Sequence, residues 1–167
     1  MEIKELTKEL LEYNCSEHAE KKNGLTYLSW AWACTIALKH DPEFSYEVQM
    51  FEGKPYIFEP NLGYMVFTTV TLGGAQKSMQ LPVMDNRNNA MTDEDYTYET
   101  SRGPVTVEAA TMFDINTAIM RCLAKNLALF GLGMYIYAGE DLPEALKEST
   151  ELTEEEKAAR KLSLIHI

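Results

Sequence analysis

Cysteine is scarce in this chain, and so are the motifs that build common catalytic centres. The 167 residues include three cysteines and three histidines. No two cysteines have CxxC spacing, so neither a disulfide framework nor a zinc site is indicated. The sequence also lacks GxxxxGK[ST], HExxH and GxSxG motifs, which argues against ATP-driven action and against hydrolases of those types.

Long hydrophobic runs are missing as well. No apolar stretch approaches the roughly 20 residues of a membrane span, and the first residues alternate Glu and Lys with Leu instead of forming a signal-peptide core. We therefore expect a cytoplasmic protein with no membrane partner. Hydrophobic residues make up 46% of the chain and charged residues 25%. That composition is typical of a globular domain and excludes a wholly disordered chain.

Basic residues are outnumbered by acidic ones, 15 to 26, and the formal net charge is −11. The sum alone argues against a protein that binds polyanions. The distribution is uneven, however, because residues 139–161 hold eight acids and four bases. Residues 115–139 hold no acid, and their only charges are Arg121 and Lys125. A locally basic surface can therefore form within an acidic chain.

Apolar periodicity predicts three helices, over residues 2–22, 29–39 and 111–130. Ser29 is a candidate N-cap of the second helix. The third helix has the strongest pattern, with apolar residues over one broad arc and a narrow face that holds Asp114, Ala118, Arg121 and Lys125. We expect the arc to face the core and the narrow face to meet solvent or a partner.

Residues 44–84 have the composition of strands. Two hairpins are predicted, and Gly73-Gly74 between the strands of the second is a strong hairpin signal. The fold class that follows is α+β, an antiparallel β-hairpin sheet packed against a long C-terminal helix, with N-terminal helices. The predicted strands are 44–51 with 54–58, and 64–72 with 75–83.

The remaining segments define the domain organisation. Residues 85–110 have little apolar periodicity and are expected to form a long loop, and residues 134–137 a short strand. Residues 1–143 are expected to form one domain, and 144–167 an acidic C-terminal tail. The last six residues resemble a translated sequencing adapter, so we expect the natural chain to continue differently beyond about Lys161.

Two cations on the third helix are candidates for nucleic-acid contact. Arg121 and Lys125 lie one helical turn apart, which presents both to the same strip of backbone phosphate. The same spacing also fits an ordinary solvated helix face. Lys77, Arg87 and Arg102 would extend the strip if they fold nearby.

Aromatic rings are the other component of single-strand binding, because bases of any identity stack on them. Trp30 and Trp32 are candidates, although tryptophans in an apolar helix also fit a core or a subunit interface. Asn116 and Asn126 lie in the apolar arc and need hydrogen-bond partners if they are buried. The tyrosine candidates are Tyr27, Tyr46, Tyr56, Tyr64, Tyr135 and Tyr137.

A cluster of acids in the predicted loop offers a different hypothesis. Asp85, Asp93, Glu94 and Asp95 could hold divalent cations in a metal-dependent nuclease, since hard cations need clustered carboxylates. The cluster lacks EF-hand spacing, and a solvated polar loop explains it as well. Cleavage of DNA in magnesium or manganese would distinguish the two.

Three separated segments carry a family resemblance. They are YLSWAWA at 27–33, LPVMD at 81–85 and RCLAKNLALFGLGMYIYAGEDLP at 121–143. In this order they resemble the phage single-strand annealing proteins of the Sak type, specifically the Sak-three group. That group is placed in the wider superfamily of the eukaryotic annealing protein Rad-fifty-two, whose hairpin sheet is crossed by a long helix ending in a Phe-Gly step, similar to Phe130-Gly131.

The resemblance implies a phage-encoded, ATP-independent protein that is not an enzyme and uses no cofactor. It implies binding of single-stranded DNA and annealing of complementary strands in homologous recombination, by a homo-oligomeric ring or helical filament. By this resemblance, Arg121 and Lys125 are expected to contact DNA, because they match basic helix positions of the superfamily. A phage exonuclease and a single-strand-binding protein are the further partners implied. The alternative is an oligomeric assembly protein of the same fold without annealing activity.

Overall fold

Over the residues that the structure describes, the protein has an α+β fold of antiparallel sheets and three α-helices, as predicted. The computed structural model describes residues 2–22 and 25–137. The chain divides into two compact units, Met1–Ile136 and Tyr137–Ile167. The elements are α1 (Ile3–Leu11), β1 (Ala19–Lys22), β2 (Leu25–Leu28), α2 (Trp30–His40), β3 (Ser45–Val48), β4 (Ile57–Glu59), β5 (Gly63–Leu72), β6 (Ala75–Pro82), β7 (Tyr96–Thr100), β8 (Gly103–Val107) and α3 (Met112–Ala128), with 3-10 turns at Ser16–His18 and Met134–Tyr137.

The β5–β6 hairpin is the centre of the main sheet and confirms the prediction. Its strands pair in register from Met65↔Pro82 to Leu72↔Ala75. Gly73 and Gly74 join them with φ angles of 60° and 78°. Two successive positive φ values match the twist that a two-residue hairpin turn needs, and glycine adopts them without steric cost.

The hairpin predicted at residues 44–51 and 54–58 is wrong in its pairing. β3 and β4 do not pair with each other but lie end to end along β5, from Ser45↔Thr71 to Val48↔Thr68 and from Ile57↔Met65 to Glu59↔Gly63. Ten residues of β5 are long enough to hold both short strands on one edge. The bridge Phe51↔Lys54 closes the turn between them.

The first predicted helix is also too long. α1 ends at Leu11, and residues 19–22 pair with β2 as a hairpin, from Ala19↔Leu28 to Lys22↔Leu25. Two contacts turn the chain away from the helix. The Asn14 side chain accepts a hydrogen bond from the backbone N–H of Ser16 at 3.0 Å, and the Tyr135 hydroxyl accepts one from the N–H of Cys15 at 2.9 Å. The second contact comes from far along the chain, so local periodicity does not reveal it.

The predicted helix after Ser29 is confirmed as α2, and the Ser29 side chain accepts a hydrogen bond from the backbone N–H of Trp32 at 3.3 Å.

Residues 85–110 are not one long loop, because β7 and β8 form a hairpin there. Only Tyr98 and Val107 of that hairpin pack against the core, which explains the weak apolar periodicity.

Residues 134–137 form a 3-10 turn instead of the expected strand, with the N–H of Ile136 donating to the carbonyl of Gly133 at 3.0 Å. The predicted acidic tail, residues 144–167, lies outside the described residues.

α3 crosses the face of β5 and β6 and joins two apolar clusters. Asp114 in its first turn accepts a hydrogen bond from the N–H of Thr111 at 2.8 Å, as in a capping box. At the other end the chain turns at Gly131, whose φ is 114°. One cluster holds Leu6, Leu10, Ile36, Val70, Leu72, Leu123, Leu127 and Phe130; the other holds Val66, Leu81, Val83, Val107, Ile115, Ile119 and Cys122.

Candidate nucleic-acid interface

The outward face of α3 carries the two candidate cations. Arg121 and Lys125 are partly buried, and Asn116 and Thr117, which precede them along the helix, are exposed. No acidic residue occurs from position 115 to 139. The acid of α3, Asp114, lies in its first turn, and the rest of the helix carries positive charge only.

A cleft opens between this face of α3 and the N-terminal hairpin. Its volume is about 370 Å³. Three pieces of chain form its walls: the β1–β2 hairpin with the residue before it, the start of α2, and one side of α3. The lining residues are His18, Glu20, Tyr27, Leu28, Ser29, Trp30, Asn116, Thr117, Met120 and Arg121.

Arg121 is fixed in position at the edge of this cleft. Its guanidinium carbon lies 4.6 Å from the centre of the Tyr27 ring, a cation–π contact. Tyr27 is in turn paired across the hairpin with Glu20. The planar guanidinium uses its face for the ring and directs its N–H groups along its edges, where oxygen acceptors are bound.

The two tryptophans of α2 have different surroundings. Trp32 is half-buried, stacks on His18 with ring centres 4.3 Å apart, and meets Tyr13 edge-on at 6.1 Å. Trp30 is 45% exposed and lines the cleft. Of the two alternatives for these residues, core and subunit interface, the core fits Trp32 and does not fit Trp30, for which the interface stays a prediction.

Lys125 follows Arg121 by one turn and lies next to the buried thiol of Cys122. Burial raises the pKa of that thiol, and its hydrogen bond to Thr68 and the charge of Lys125 offset part of the rise. The Cys122 sulfur is 3.3 Å from the Thr68 hydroxyl. Cys122 therefore stays protonated and structural at neutral pH.

Lys77, another predicted contact, interacts with the end of α3. Its Nζ donates to the carbonyl oxygen of Leu129 at 2.9 Å and lies 5.0 Å from the centre of the Phe130 ring. Leu129 is eight residues beyond Arg121, about 12 Å along a helix axis. The ammonium group satisfies a carbonyl at the C-terminal end of the helix, where positive charge is favourable.

Arg87 and Arg102 are exposed and lie in two different turns. The backbone N–H of Arg87 donates to the Asp85 carboxylate at 2.9 Å. The N–H of Arg102 donates to the Thr100 hydroxyl at 3.2 Å, in the turn between β7 and β8. The five predicted cations are thus distributed over one helix, one strand and two turns.

The loop carboxylates of the nuclease hypothesis hold turns in place. Asp85 also accepts from the N–H of Asn89 at 2.9 Å, and Asp95 accepts from the N–H of Ala109 at 2.7 Å. Within residues 2–22 and 25–137, no group of three or more His, Cys, Asp or Glu side chains is arranged to hold a metal ion. Over the same residues, no helix has the length and apolar character needed to cross a membrane.

The two asparagines of the apolar arc also differ. Asn126 is completely buried, and its amide nitrogen donates to the carbonyls of Thr68 and Lys77 and to the Thr68 hydroxyl. Its Oδ1 has no hydrogen-bond partner among the described residues. Asn116 lines the cleft. Sequence reasoning identified both as polar residues in need of partners but missed the cleft, because its other wall was predicted to be helix.

One known protein family matches nearly the whole chain. The family described as Sak Single Strand Annealing Protein matches residues 5–164. The chain belongs to this family, which confirms the resemblance inferred from the three segments. A search of curated proteins found no significant match.

Proposed function

We propose that this protein binds single-stranded DNA and anneals complementary strands without ATP, as a homo-oligomer acting in phage homologous recombination. The observation that carries the proposal is the pair Arg121 and Lys125 on one narrow face of α3, with Arg121 at the edge of an open cleft. Membership of the Sak single strand annealing family supports the same function.

The phosphate backbone would be held by the outward face of α3. Arg121 and Lys125 point to the same side of the helix, and Arg121 is held in place by Tyr27. A pre-positioned guanidinium loses less freedom when it binds a phosphate. Phosphate contacts hold a strand in register and leave its bases available for pairing. No covalent step is needed, so the protein would act as a template.

The other predicted cations would make smaller contributions. Arg87 and Arg102 are exposed in turns and are proposed as secondary contacts to the same strand. Lys77 is engaged with Leu129 and Phe130. These contacts support a role for Lys77 in the stability of the fold, and we assign the main DNA contacts to Arg121 and Lys125.

Oligomerisation would compensate for the few cations in each subunit, since linked weak sites bind with much higher avidity. The first turn of α3 supports an interface between copies. Met112 is 63% and Phe113 79% exposed, and large exposed apolar side chains side by side mark interaction surfaces. Contacts with a phage exonuclease and a single-strand-binding protein are proposed as further partners.

The second candidate function is an oligomeric assembly protein that lacks annealing activity. The same exposed Met112 and Phe113, together with the net charge of −11, favour it. Both hypotheses predict oligomers, so oligomeric state does not separate them. Acceleration of strand annealing, which only the first function predicts, separates the two hypotheses.

The experiment that tests the proposal measures annealing of two complementary fluorescent oligonucleotides without ATP, over a series of salt concentrations. We expect the protein to accelerate annealing, and the acceleration to weaken as salt rises because counterion release drives phosphate binding. A folded oligomer that leaves the spontaneous rate unchanged at low salt would contradict the proposal and favour the assembly protein.

A further inference from the structure

The cleft beside Arg121 has the size and the lining of a binding site for one planar ring. Its volume of about 370 Å³ lies within the range of small-molecule sites in proteins. Apolar and aromatic side chains form part of its lining, and a few polar groups, Glu20, Asn116 and Thr117, face the same space. Such a mixture binds ligands that are flat, mostly apolar and polar at their edges.

Trp30 supplies a stacking surface within this cleft. Tryptophan is a large hydrophobic side chain, and 45% exposure at the mouth of a cleft leaves much of its ring in water. The other tryptophan, Trp32, is covered by His18 and Tyr13. A nucleobase stacked on Trp30 would remove this apolar surface from water, and such stacking tolerates any base.

The carboxylate in the lining decides which part of a nucleotide enters. Glu20 lines the cleft and repels a phosphate, whereas a carboxylate accepts hydrogen bonds from the exocyclic amino group of a base. Arg121 lies at the same cleft, and a guanidinium binds oxygen acceptors such as those of phosphate along its edges. A base in the cleft and a phosphate on Arg121 would therefore place each part of the nucleotide beside a group of complementary chemistry.

We propose that this cleft binds one unpaired nucleobase of the DNA strand, stacked on Trp30, with its edge towards Glu20 and Asn116 and its phosphate on Arg121. The inference rests on the proposed single-strand binding and adds to it. One base in each subunit would be held by protein and withheld from pairing, while neighbouring bases remain available. Release of that base would then accompany the completion of a duplex.

The chemistry of the lining also predicts a preference among bases. Cytosine has an exocyclic amino group that donates to a carboxylate, whereas thymine has none. We therefore expect oligo-dC to bind about threefold more tightly than oligo-dT at equal length. Glu20→Gln should reduce this preference, because an amide can both accept and donate. Glu20 is exposed on a strand, so the substitution should leave the fold intact.

The first experiment compares binding of oligo-dC with binding of a strand of equal length and charge that carries abasic residues throughout. The protein is used as the full chain, in its native form and as Trp30→Phe, Trp30→Ala and, as a control, Tyr46→Ala. Tyr46 is an exposed aromatic residue on β3 that does not line the cleft. Circular dichroism and the unfolding midpoint establish that each variant is folded.

We expect the native protein, Trp30→Phe and Tyr46→Ala to bind oligo-dC about tenfold more tightly than the abasic strand. In Trp30→Ala this ratio should fall close to one, while the affinity for the abasic strand stays unchanged. If the native protein binds both strands equally, or if Trp30→Ala keeps the full ratio, the nucleobase site is wrong.

The outcomes also separate this inference from the proposed function. Salt-sensitive binding of both strands without any preference for bases would overturn the nucleobase site and leave single-strand binding in place. Absence of binding to either strand at low salt would overturn both. Equal affinity for oligo-dC and oligo-dT in the native protein would contradict the contact with Glu20.

Discussion

The two halves of α3 use the same residue types for different purposes. In residues 122–128, Asn126 is buried and its amide ties the helix to Thr68 and Lys77 of the hairpin beneath it. In residues 112–121, Asn116 is exposed and lines the cleft. The second half lies between the β5–β6 hairpin and the N-terminal helices, whereas the first half is open on one side. Whether a polar side chain stabilises the fold or lines a binding site therefore depends on how the surrounding segments pack, and residue type alone does not determine it.

The cations at the two halves of α3 also serve different purposes, one in the fold and one at the cleft. Lys77 donates to the Leu129 carbonyl at the end of the helix. Arg121 stacks on Tyr27 at the edge of the cleft. One positive charge stabilises a helix terminus, and the other is positioned on a surface. Mutations that remove each of these groups should therefore separate stability from DNA binding.

The largest effect is expected at the buried asparagine. Asn126→Ala removes three hydrogen bonds and leaves the carbonyls of Thr68 and Lys77 buried without that donor, so the free energy of unfolding should fall by about 3 kcal/mol. Urea unfolding followed by circular dichroism measures this change. Asn116→Ala is the matched control in the open half, and its unfolding free energy should change by less than about 0.5 kcal/mol. Equal losses of unfolding free energy in the two variants would contradict the difference between the two halves of α3.

The next effect concerns DNA and not stability. Arg121→Ala/Lys125→Ala should lower the annealing rate at least about tenfold and reduce the slope of log affinity against log salt by about 1.4, because two phosphate contacts are lost from a single strand. Loss of the contact with Tyr27 should cost the fold no more than about 1 kcal/mol.

A matched control for this pair lies on α1. Lys4→Ala/Lys8→Ala removes two exposed cations with the same four-residue spacing. If it slows annealing as much as the α3 pair, the effect comes from total charge, and the proposed interface is wrong.

A smaller effect is expected at Lys77. Lys77→Met keeps most of the side-chain volume but loses the hydrogen bond to Leu129 and the charge above the Phe130 ring, and should cost about 1 kcal/mol of stability. Annealing by the folded variant should match that of the native protein. Lys54→Met, in an exposed turn, is the control and should leave the unfolding midpoint unchanged. A loss of DNA affinity in Lys77→Met with normal stability would place Lys77 in the interface.

The smallest effect is the pH dependence that Cys122 contributes. Burial raises the pKa of its thiol above the ordinary value of 9.0, so the folded protein holds this proton to higher pH than the unfolded chain does. The contribution to stability is full below about pH 9 and is lost as the pH rises further. Urea unfolding at pH 8 and pH 9.5 should show a larger decrease for the native protein than for Cys122→Ser. Parallel decreases would mean that Cys122 titrates alike in both states.

Elements with strong local signals were predicted from the sequence. Ser29 marked the start of α2, Gly73-Gly74 marked the central hairpin, and broad apolar periodicity marked α3. The β1–β2 hairpin was missed because Glu, Lys and Ala in residues 19–22 favour a helix locally. The contact of Tyr135 with Cys15, far apart in the chain, helps to end the helical segment before it.

In the candidate site, too, some residues were predicted from the sequence and others were not. Arg121 and Lys125 were predicted from their spacing and from the family segments, whereas Glu20 and the exposure of Trp30 carried no signal that periodicity could detect. Their place in one cleft depends on the position of the N-terminal hairpin beside α3. That position is a tertiary contact, and apolar pattern in one segment does not encode which other segment lies against it.

The sequence by itself determined that this chain is an α+β protein of the Sak single strand annealing family, with a helix that carries two cations in a stretch, residues 115–139, without acids. These properties follow from local composition, periodicity and motifs. Only the tertiary structure decided that Arg121 lies at a cleft and that Lys77 caps the end of a helix. The physical reason is that burial and hydrogen-bond partners are set by segments distant in the chain, so cations of the same charge acquire different roles when they meet different neighbours.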